Sequence, residues 1–210
     1  LIAIVDYGLG NLHSAQKAFE QVGLEATLTD DPSRIREADA VVLPGVGAYG
    51  DCLRGLEVKR LAEPVRDAAL SGRPFLGICV GFQLLFEGSE EGGVEGGLGV
   101  FEGRIARFPR ASGTGLKVPH MGWNQVSVPE GRDCALLPPG ESPYFYFVHS
   151  YYAVPADPSV VLAECDYGVR FPAIVGQGQV FACQFHPEKS QTAGLALLKA
   201  FGGLVEAAAV

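Results

Sequence analysis

A mostly parallel α/β fold is what this 210-residue sequence predicts: a doubly wound central sheet with helices on both faces, and an additional antiparallel strand region in the second half. Three observations carry that reading. Short apolar runs alternate with helix-period segments through the first half, glycine-containing turns close those runs, and after residue 99 strand-like runs follow one another with no helix between them until the C-terminal stretch. Helices between consecutive strands require crossover connections, and crossovers produce parallel sheets covered on both faces.

Taken in order, Leu1 to Tyr7 is a short apolar run, Leu12 to Val22 has helical periodicity closed by Gly23, and Leu24 to Thr29 returns to strand character. Asp31-Pro32-Ser33 starts a short helix, Ala40 to Leu43 is a buried strand, Asp51 to Leu70 reads as one helix, and Pro74 to Ile78 is a strand running into Gly77-Ile78-Cys79-Val80-Gly81. Residues 87–99, rich in glycine and glutamate, read as a flexible surface insertion. Val100 to Phe108, Gln125 to Val128, Tyr144 to Tyr151, Val160 to Tyr167, Ala173 to Val175 and Val180 to Phe185 read as strands. Gly176-Gln177-Gly178 supplies hairpin turn chemistry, and Gln191 to Val205 is a closing helix. One domain over residues 1–210 is expected, since a chain of this length with 48% hydrophobic residues can bury a single large core.

Charge and cysteine usage exclude several classes. A formal net charge of -8 leaves no clustered Lys and Arg for phosphate neutralisation, so no nucleic-acid partner is expected. No apolar run approaches the roughly 20 residues of a membrane span, and the N-terminal segment has no signal-peptide pattern. The cysteines (Cys52, Cys79, Cys134, Cys165 and Cys183) show no paired spacing and no CxxC, which predicts a reducing cytoplasm. His13, His120, His149 and His186 are equally scattered, with no ligand spacing among them, so no metal is expected. Gly8-Leu9-Gly10 follows a strand, but His13 stands where a dinucleotide fingerprint needs its third glycine.

Two separated stretches carry the chemistry. Cys79 lies between Gly77 and Gly81, after an apolar strand and before an apolar helical run, which is the pattern of a nucleophile elbow. A thiol there would also sit at a helix N-terminus, where the helix dipole favours thiolate. His186-Pro187-Glu188 supplies a base and an orienter, because residues two apart on an extended segment point to one side. Taken singly, the cysteine reads as a small core residue and His-Pro-Glu as a surface turn. Their conjunction after two apolar strands, in the order Cys then His, favours an acyl-transfer triad. Its oxyanion donors would be the backbone N–H of Val80 and one from Pro44-Gly45-Val46-Gly47 at a neighbouring strand end.

The elbow Gly77-Ile78-Cys79-Val80-Gly81-Phe82-Gln83 with His186-Pro187-Glu188 resembles the class I, triad-type glutamine amidotransferases. Asp6 to Leu12, Pro44 to Tyr49 and Pro119-His120-Met121-Gly122-Trp123-Asn124 narrow the resemblance to the glutaminase subunits that serve a (βα)₈-barrel cyclase in histidine biosynthesis. The resemblance implies L-glutamine as substrate, Cys79 as nucleophile, His186 as general acid and base, and Glu188 as its orienter. It implies Val80, Val46 and Gly47 around the oxyanion, and Gln83, Glu91, His149, Ser150 and Tyr151 around the amino-acid end of the substrate. Asn11, Trp123, Tyr146 and Lys189 are its implied interface with the cyclase, and no cofactor is implied. Sister amidotransferases usually carry a second glycine where Val46 stands, so the second oxyanion donor is expected to be misaligned at rest. A free-standing cysteine peptidase or γ-glutamyl hydrolase shares the catalytic residues. A γ-glutamyl hydrolase would bring secretory or disulfide features, which this sequence lacks. A non-catalytic binding protein shares the scaffold, and the presence of both His186 and Glu188 weighs against it.

Overall fold

The computed structural model describes residues 1–109 and 116–208. Its first half runs β1 (Ile2–Val5), α1 (Leu12–Gln21), β2 (Ala26–Thr29), α2 (Pro32–Glu37), β3 (Ala40–Gly45), α3 (Tyr49–Val58), α4 (Ala62–Leu70), β4 (Phe75–Cys79) and α5 (Val80–Gln83). The second half runs β5 (Gly88–Ser89), β6 (Val94–Glu95), β7 (Gly103–Arg107), β8 (His120–Gln125), β9 (Tyr144–His149), β10 (Tyr151–Pro155), β11 (Val161–Asp166), β12 (Arg170–Gln177), β13 (Val180–Cys183) and α6 (Gln191–Ala208).

The main sheet has seven strands in the order β11-β12-β13-β4-β3-β1-β2. From β13 to β2 every pairing is parallel, while β11, β12 and β13 pair antiparallel. Every residue of β1, β3, β4 and β13 is buried, which requires cover on both faces. Helices α1 and α6 meet through Phe19 and Phe201, ring centroids 6.3 Å apart, and α4 packs with α2 and α3. The antiparallel region adds a four-stranded sheet, β10-β7-β5-β6, and the pair β8-β9.

Five expectations are corrected. The single helix over Asp51 to Leu70 is two, because Arg60 turns left-handed (φ 57°) between α3 and α4. Pro64 explains the break: in a continuous helix its ring would clash with the carbonyl four residues back, whereas near the start of α4 its missing N–H costs nothing. The glycine- and glutamate-rich insertion is packed structure. It contributes β5 and β6, and a Cβ at Gly97 would collide with the Phe86 carbonyl and the Tyr49 hydroxyl. The strand placed at Gln125 to Val128 lies one segment earlier, as β8. Tyr144 to Tyr151 is two strands, with β9 paired to β8 and β10 to β7, so the chain changes sheets at Ser150. The helix after Cys79 is only Val80–Gln83, too short for the dipole argument to carry weight.

Candidate active site

Sheet order explains why residues far apart in sequence converge. β4 lies between β3 and β13, with Gly45 opposite Cys79 and Cys183 opposite Ile78. The C-terminal ends of three adjacent parallel strands thus present the Gly45–Gly47 turn, Cys79 and the segment leading to His186, at the edge where such sheets bind ligands.

Cys79 has φ 56° and ψ −111°, a conformation an L-residue adopts only when its surroundings enforce it. The enforcement is steric. A Cβ at Gly81 would collide with the Leu43 carbonyl, and one at Gly45 would lie 2.7 Å from both the Gly81 nitrogen and the Tyr7 hydroxyl oxygen. The backbones of the elbow and of the β3 turn can approach this closely only with glycine at both positions. Tyr7 Oη donates to the Pro44 carbonyl at 2.8 Å and so pins the turn from below.

His186 is the last extended residue before a single 3₁₀ turn, Pro187–Lys189, held by its N–H on the Tyr146 carbonyl at 3.0 Å and its carbonyl on Ser190 Oγ at 2.6 Å. That turn, in place of the extended run expected, brings Glu188 back toward the imidazole. Nδ1 lies 2.8 Å from Glu188 Oε1, with both side chains only 2% exposed. A carboxylate oxygen accepts, so Nδ1 carries a proton and Nε2 is the nitrogen left for chemistry. Burial alone would lower the His186 pKa, but the neighbouring Cys79 and Glu188 outweigh it and push it up to about 10. Burial pushes the thiols of Cys52, Cys134, Cys165 and Cys183 up, Cys52 to about 11 and Cys165 to about 12, so all four are protonated at neutral pH.

A cavity of about 400 Å³ opens over Cys79 and His186. Val80, Val46 and Gly47 line it, as do Gln83, Glu91, His149, Ser150, Tyr151 and Lys189. Gln83 Nε2 donates to Gln184 Oε1 at 3.0 Å and to the Tyr151 carbonyl at 3.3 Å, and His149 Nδ1 lies 2.7 Å from that same carbonyl. Glu91 accepts the Tyr49 N–H at 2.8 Å, so the 3₁₀ turn it opens is fastened to the start of α3. Glu188 stands behind His186, outside the lining. Asn11, Trp123 and Tyr146 also lie outside it: Asn11 Nδ2 donates to Glu188 Oε1 at 3.2 Å, while Trp123, 47% exposed, meets the Tyr146 ring edge-on at 6.2 Å. Pro119 and Val148 line the cavity too, although the sequence does not single them out for it. Val148 was discoverable from its place one residue before His149 on a strand, Pro119 only as part of its motif. A larger cavity, about 650 Å³ along Val128 to Ser142, contains none of these groups.

Among the described residues no group of three or more His, Cys, Asp and Glu is placed to hold a metal ion, and no helix is long and apolar enough to cross a membrane. The arrangement suits attack by a thiolate on a carbonyl carbon, with an imidazole to move protons and N–H groups at a strand-to-helix turn to receive the developing oxyanion.

Residues 3–202 match the family model described as Glutamine amidotransferase class-I. The chain is 53% identical over 204 residues to the imidazole glycerol phosphate synthase subunit HisH of Geobacter sulfurreducens, covering 96% of this chain and 97% of the relative. It is 47% identical to the HisH subunit of Bacillus subtilis, covering 96% and 95%. Among solved structures, a crystal structure of glutamine amidotransferase aligns with a TM-score of 0.73 at 23% identity over 97% of this chain and 98% of the other. The structure of PurLQS from Thermotoga maritima aligns with a TM-score of 0.71 at 23% identity over 98% and 97%. At these identities the two structures speak for the shared fold.

Proposed function

The chain belongs to the class I glutamine amidotransferases, among the HisH subunits of imidazole glycerol phosphate synthase, and on that premise we propose how its residues divide the work. It is an enzyme that hydrolyses L-glutamine to glutamate and ammonia as the glutaminase subunit of that synthase. Cys79 Sγ, as thiolate, attacks the side-chain carboxamide carbon of glutamine. The resulting oxyanion is received by the N–H of Val80 and a second N–H from the Val46-Gly47 turn. His186, protonated at rest beside Cys79, gives its Nε2 proton to the departing nitrogen as the carbon–nitrogen bond breaks. Ammonia leaves and a γ-glutamyl thioester remains. The now neutral imidazole takes a proton from water, whose oxygen attacks the thioester carbon, and glutamate departs as the thiolate is restored. Glu188 keeps the ring in its Nδ1–H tautomer throughout, and Gln83, Glu91 and the His149-Ser150-Tyr151 segment hold the amino-acid end of the substrate.

Ammonia released into water at neutral pH would be protonated and lost, so this reading assigns the chain a heterodimeric partner, the (βα)₈-barrel cyclase subunit, which receives ammonia directly. Asn11, Trp123, Tyr146 and Lys189 are the residues we assign to that interface. The five free cysteines favour a reducing cytoplasm. The whole of residues 1–210 would act as one amidotransferase domain.

The observation that carries the proposal is the strained Cys79 at the end of β4 sharing a cavity with an imidazole whose far nitrogen is held by a buried carboxylate. The test is labelling with a glutamine-analogue electrophile, together with glutaminase assays with and without a cyclase subunit. Selective modification of Cys79 and stimulation by the cyclase are expected. Labelling spread over the other four cysteines, or glutamine hydrolysis indifferent to the cyclase, would contradict it.

A further inference from the structure

The stretch Pro119 to Asn124 reaches the cavity through Pro119 alone, and its histidine serves a different purpose. His120 and His149 are both buried and face each other in register across β8 and β9. His149 Nδ1 lies 2.7 Å from the Tyr151 carbonyl, which can only accept, so Nδ1 carries the hydrogen. Burial holds both rings neutral, with the pKa of His149 pushed down to about 3 and that of His120 to about 4. In a neutral ring the other nitrogen must accept. His149 Nε2 therefore accepts from His120 Nδ1 at 2.9 Å, and His120 Nε2 is left to accept from Asn124 Nδ2 at 3.4 Å. The Asn124 amide is itself oriented without ambiguity: Oδ1 accepts the Gln125 N–H at 2.8 Å and Nδ2 also donates to the Asp166 carbonyl at 2.9 Å. Hydrogen bonds thus run in one direction from Asn124 through His120 and His149 to Tyr151.

The rings cannot easily turn out of this arrangement. His120 is stacked on Tyr167 at 3.9 Å and on Phe147 at 4.9 Å. The carbonyl at the end of the chain also takes the Gln83 Nε2 bond, and it belongs to the point where the backbone leaves β9 for β10 and lines the cavity. The alternative His149 tautomer would aim a bare nitrogen lone pair at the Tyr151 oxygen and release that wall.

We propose that His120 is a positioning residue for glutamine binding: by donating to His149 it fixes the tautomer that holds the Tyr151 carbonyl, and so sets the Ser150–Tyr151 wall from the β8–β9 pair. The proposal rests on the reading of this cavity as the glutamine site. His120 touches no reacting atom, so its effect belongs in KM and not in kcat.

The test uses the full chain assembled with a cyclase subunit. His120→Phe keeps an aromatic ring in the stack and removes the donor; His120→Asn returns an N–H close to the place of Nδ1. His120→Phe is expected to raise KM for glutamine by about tenfold or more with kcat changed less than about threefold, and His120→Asn to bring KM back to within about threefold of the parent. Nitrogen-15 NMR of His149 should report Nδ1–H in the parent and in His120→Asn, and a shift toward Nε2–H in His120→Phe. Parental KM and tautomer in His120→Phe would overturn the proposal. So would equal losses of kcat and thermal stability in both variants, which would mark a merely structural residue. If the parent itself hydrolyses no glutamine, the functional reading fails, while the NMR signature still decides the role of His120.

Discussion

Asn11 Nδ2 donates to Glu188 Oε1 at 3.2 Å, joining the residue that opens α1 to a buried carboxylate 177 positions later in the chain. The same oxygen receives His186 Nδ1 at 2.8 Å. Asparagine is among the best helix N-caps, yet Asn11 makes no side-chain capping bond to α1. Its amide serves the candidate triad instead of the helix.

Asn11→Ala should therefore lower kcat more than stability. Losing a hydrogen bond to a charged group is typically worth about 1.5–3 kcal/mol, which here should appear as a roughly tenfold to hundredfold drop in glutaminase kcat. The thermal midpoint should move less than for a capping asparagine. A lowered midpoint with parental kcat would return Asn11 to a purely structural role.

Glu188→Gln should be far more damaging. The amide can no longer neutralise an imidazolium and can stabilise the wrong tautomer, so kcat should fall on the order of a thousandfold to ten-thousandfold while KM for glutamine stays within about threefold. His186→Ala should lose at least as much. A variant of Glu188 defective mainly in glutamine binding would show that the carboxylate faces substrate and does not orient the ring.

Cys79→Ala should abolish glutamine-dependent synthesis in the complex but leave the cyclase working on added ammonium salt. Assaying both nitrogen sources on one preparation is the check, and loss of both activities together would mean that the two subunits do not divide the work as proposed.

The raised pKa of His186 gives two pH dependences of the same sign. Its proton is held more tightly folded than unfolded, so the stability it contributes is fully present below about 6.5 and is lost as pH rises through about 10. If the imidazolium is also the acid that protonates the leaving nitrogen, as proposed, kcat/KM should hold through neutral pH and decline as pH approaches about 10. His149 and His120 act oppositely: their neutral forms stabilise above about 6.5, and that contribution fades as pH falls through about 4 and about 3. Unfolding free energy against pH for the parent and for Glu188→Gln measures the alkaline arm, which should flatten in the variant.

The strands that carry the site were legible because burial on both faces writes itself as unbroken apolar runs: Ala40 to Leu43 and Pro74 to Ile78 lie in or beside fully buried strands. The elbow was legible because its glycines answer to backbone collisions that only sharp strand-to-helix turns impose. β8 was illegible because its alternation is inverted. His120 is buried while Met121 and Trp123 are exposed, so the apolar side chains point to solvent and the inward histidine reads as polar. Glu188 meets His186 through a single 3₁₀ turn and not the extended segment that the spacing suggests, because both geometries can bring side chains two apart together. Asn11 and His120 act through partners distant in sequence, and no local pattern announces such bonds.

The last prediction concerns Val46 and the oxyanion. Gly47 has φ 94°, and a Cβ added there would meet nothing within 4 Å, so its glycine answers to conformation and not to crowding. Val46, between two glycines, is fixed on its carbonyl side by Cys52 Sγ at 3.3 Å. If the Gly47 N–H is turned from the cavity at rest, as we expect, aiming it there would break that contact and rotate a β-branched residue. The resting chain should therefore bind glutamine yet turn it over slowly, with one oxyanion donor in place at Val80 and the second withheld. Docking of the cyclase, above all when it is loaded with its own substrate, would supply the rearrangement. One such donor is typically worth about 2.7–4 kcal/mol, so kcat should rise on the order of a hundredfold to a thousandfold with little change in KM, because the charge it stabilises exists only in the transition state. Val46→Gly should raise the activity of the free subunit and shrink the activation by the partner. The decisive measurement is glutaminase kcat for the free subunit, the complex and the ligand-loaded complex; a free subunit already at full speed would rule this mechanism out.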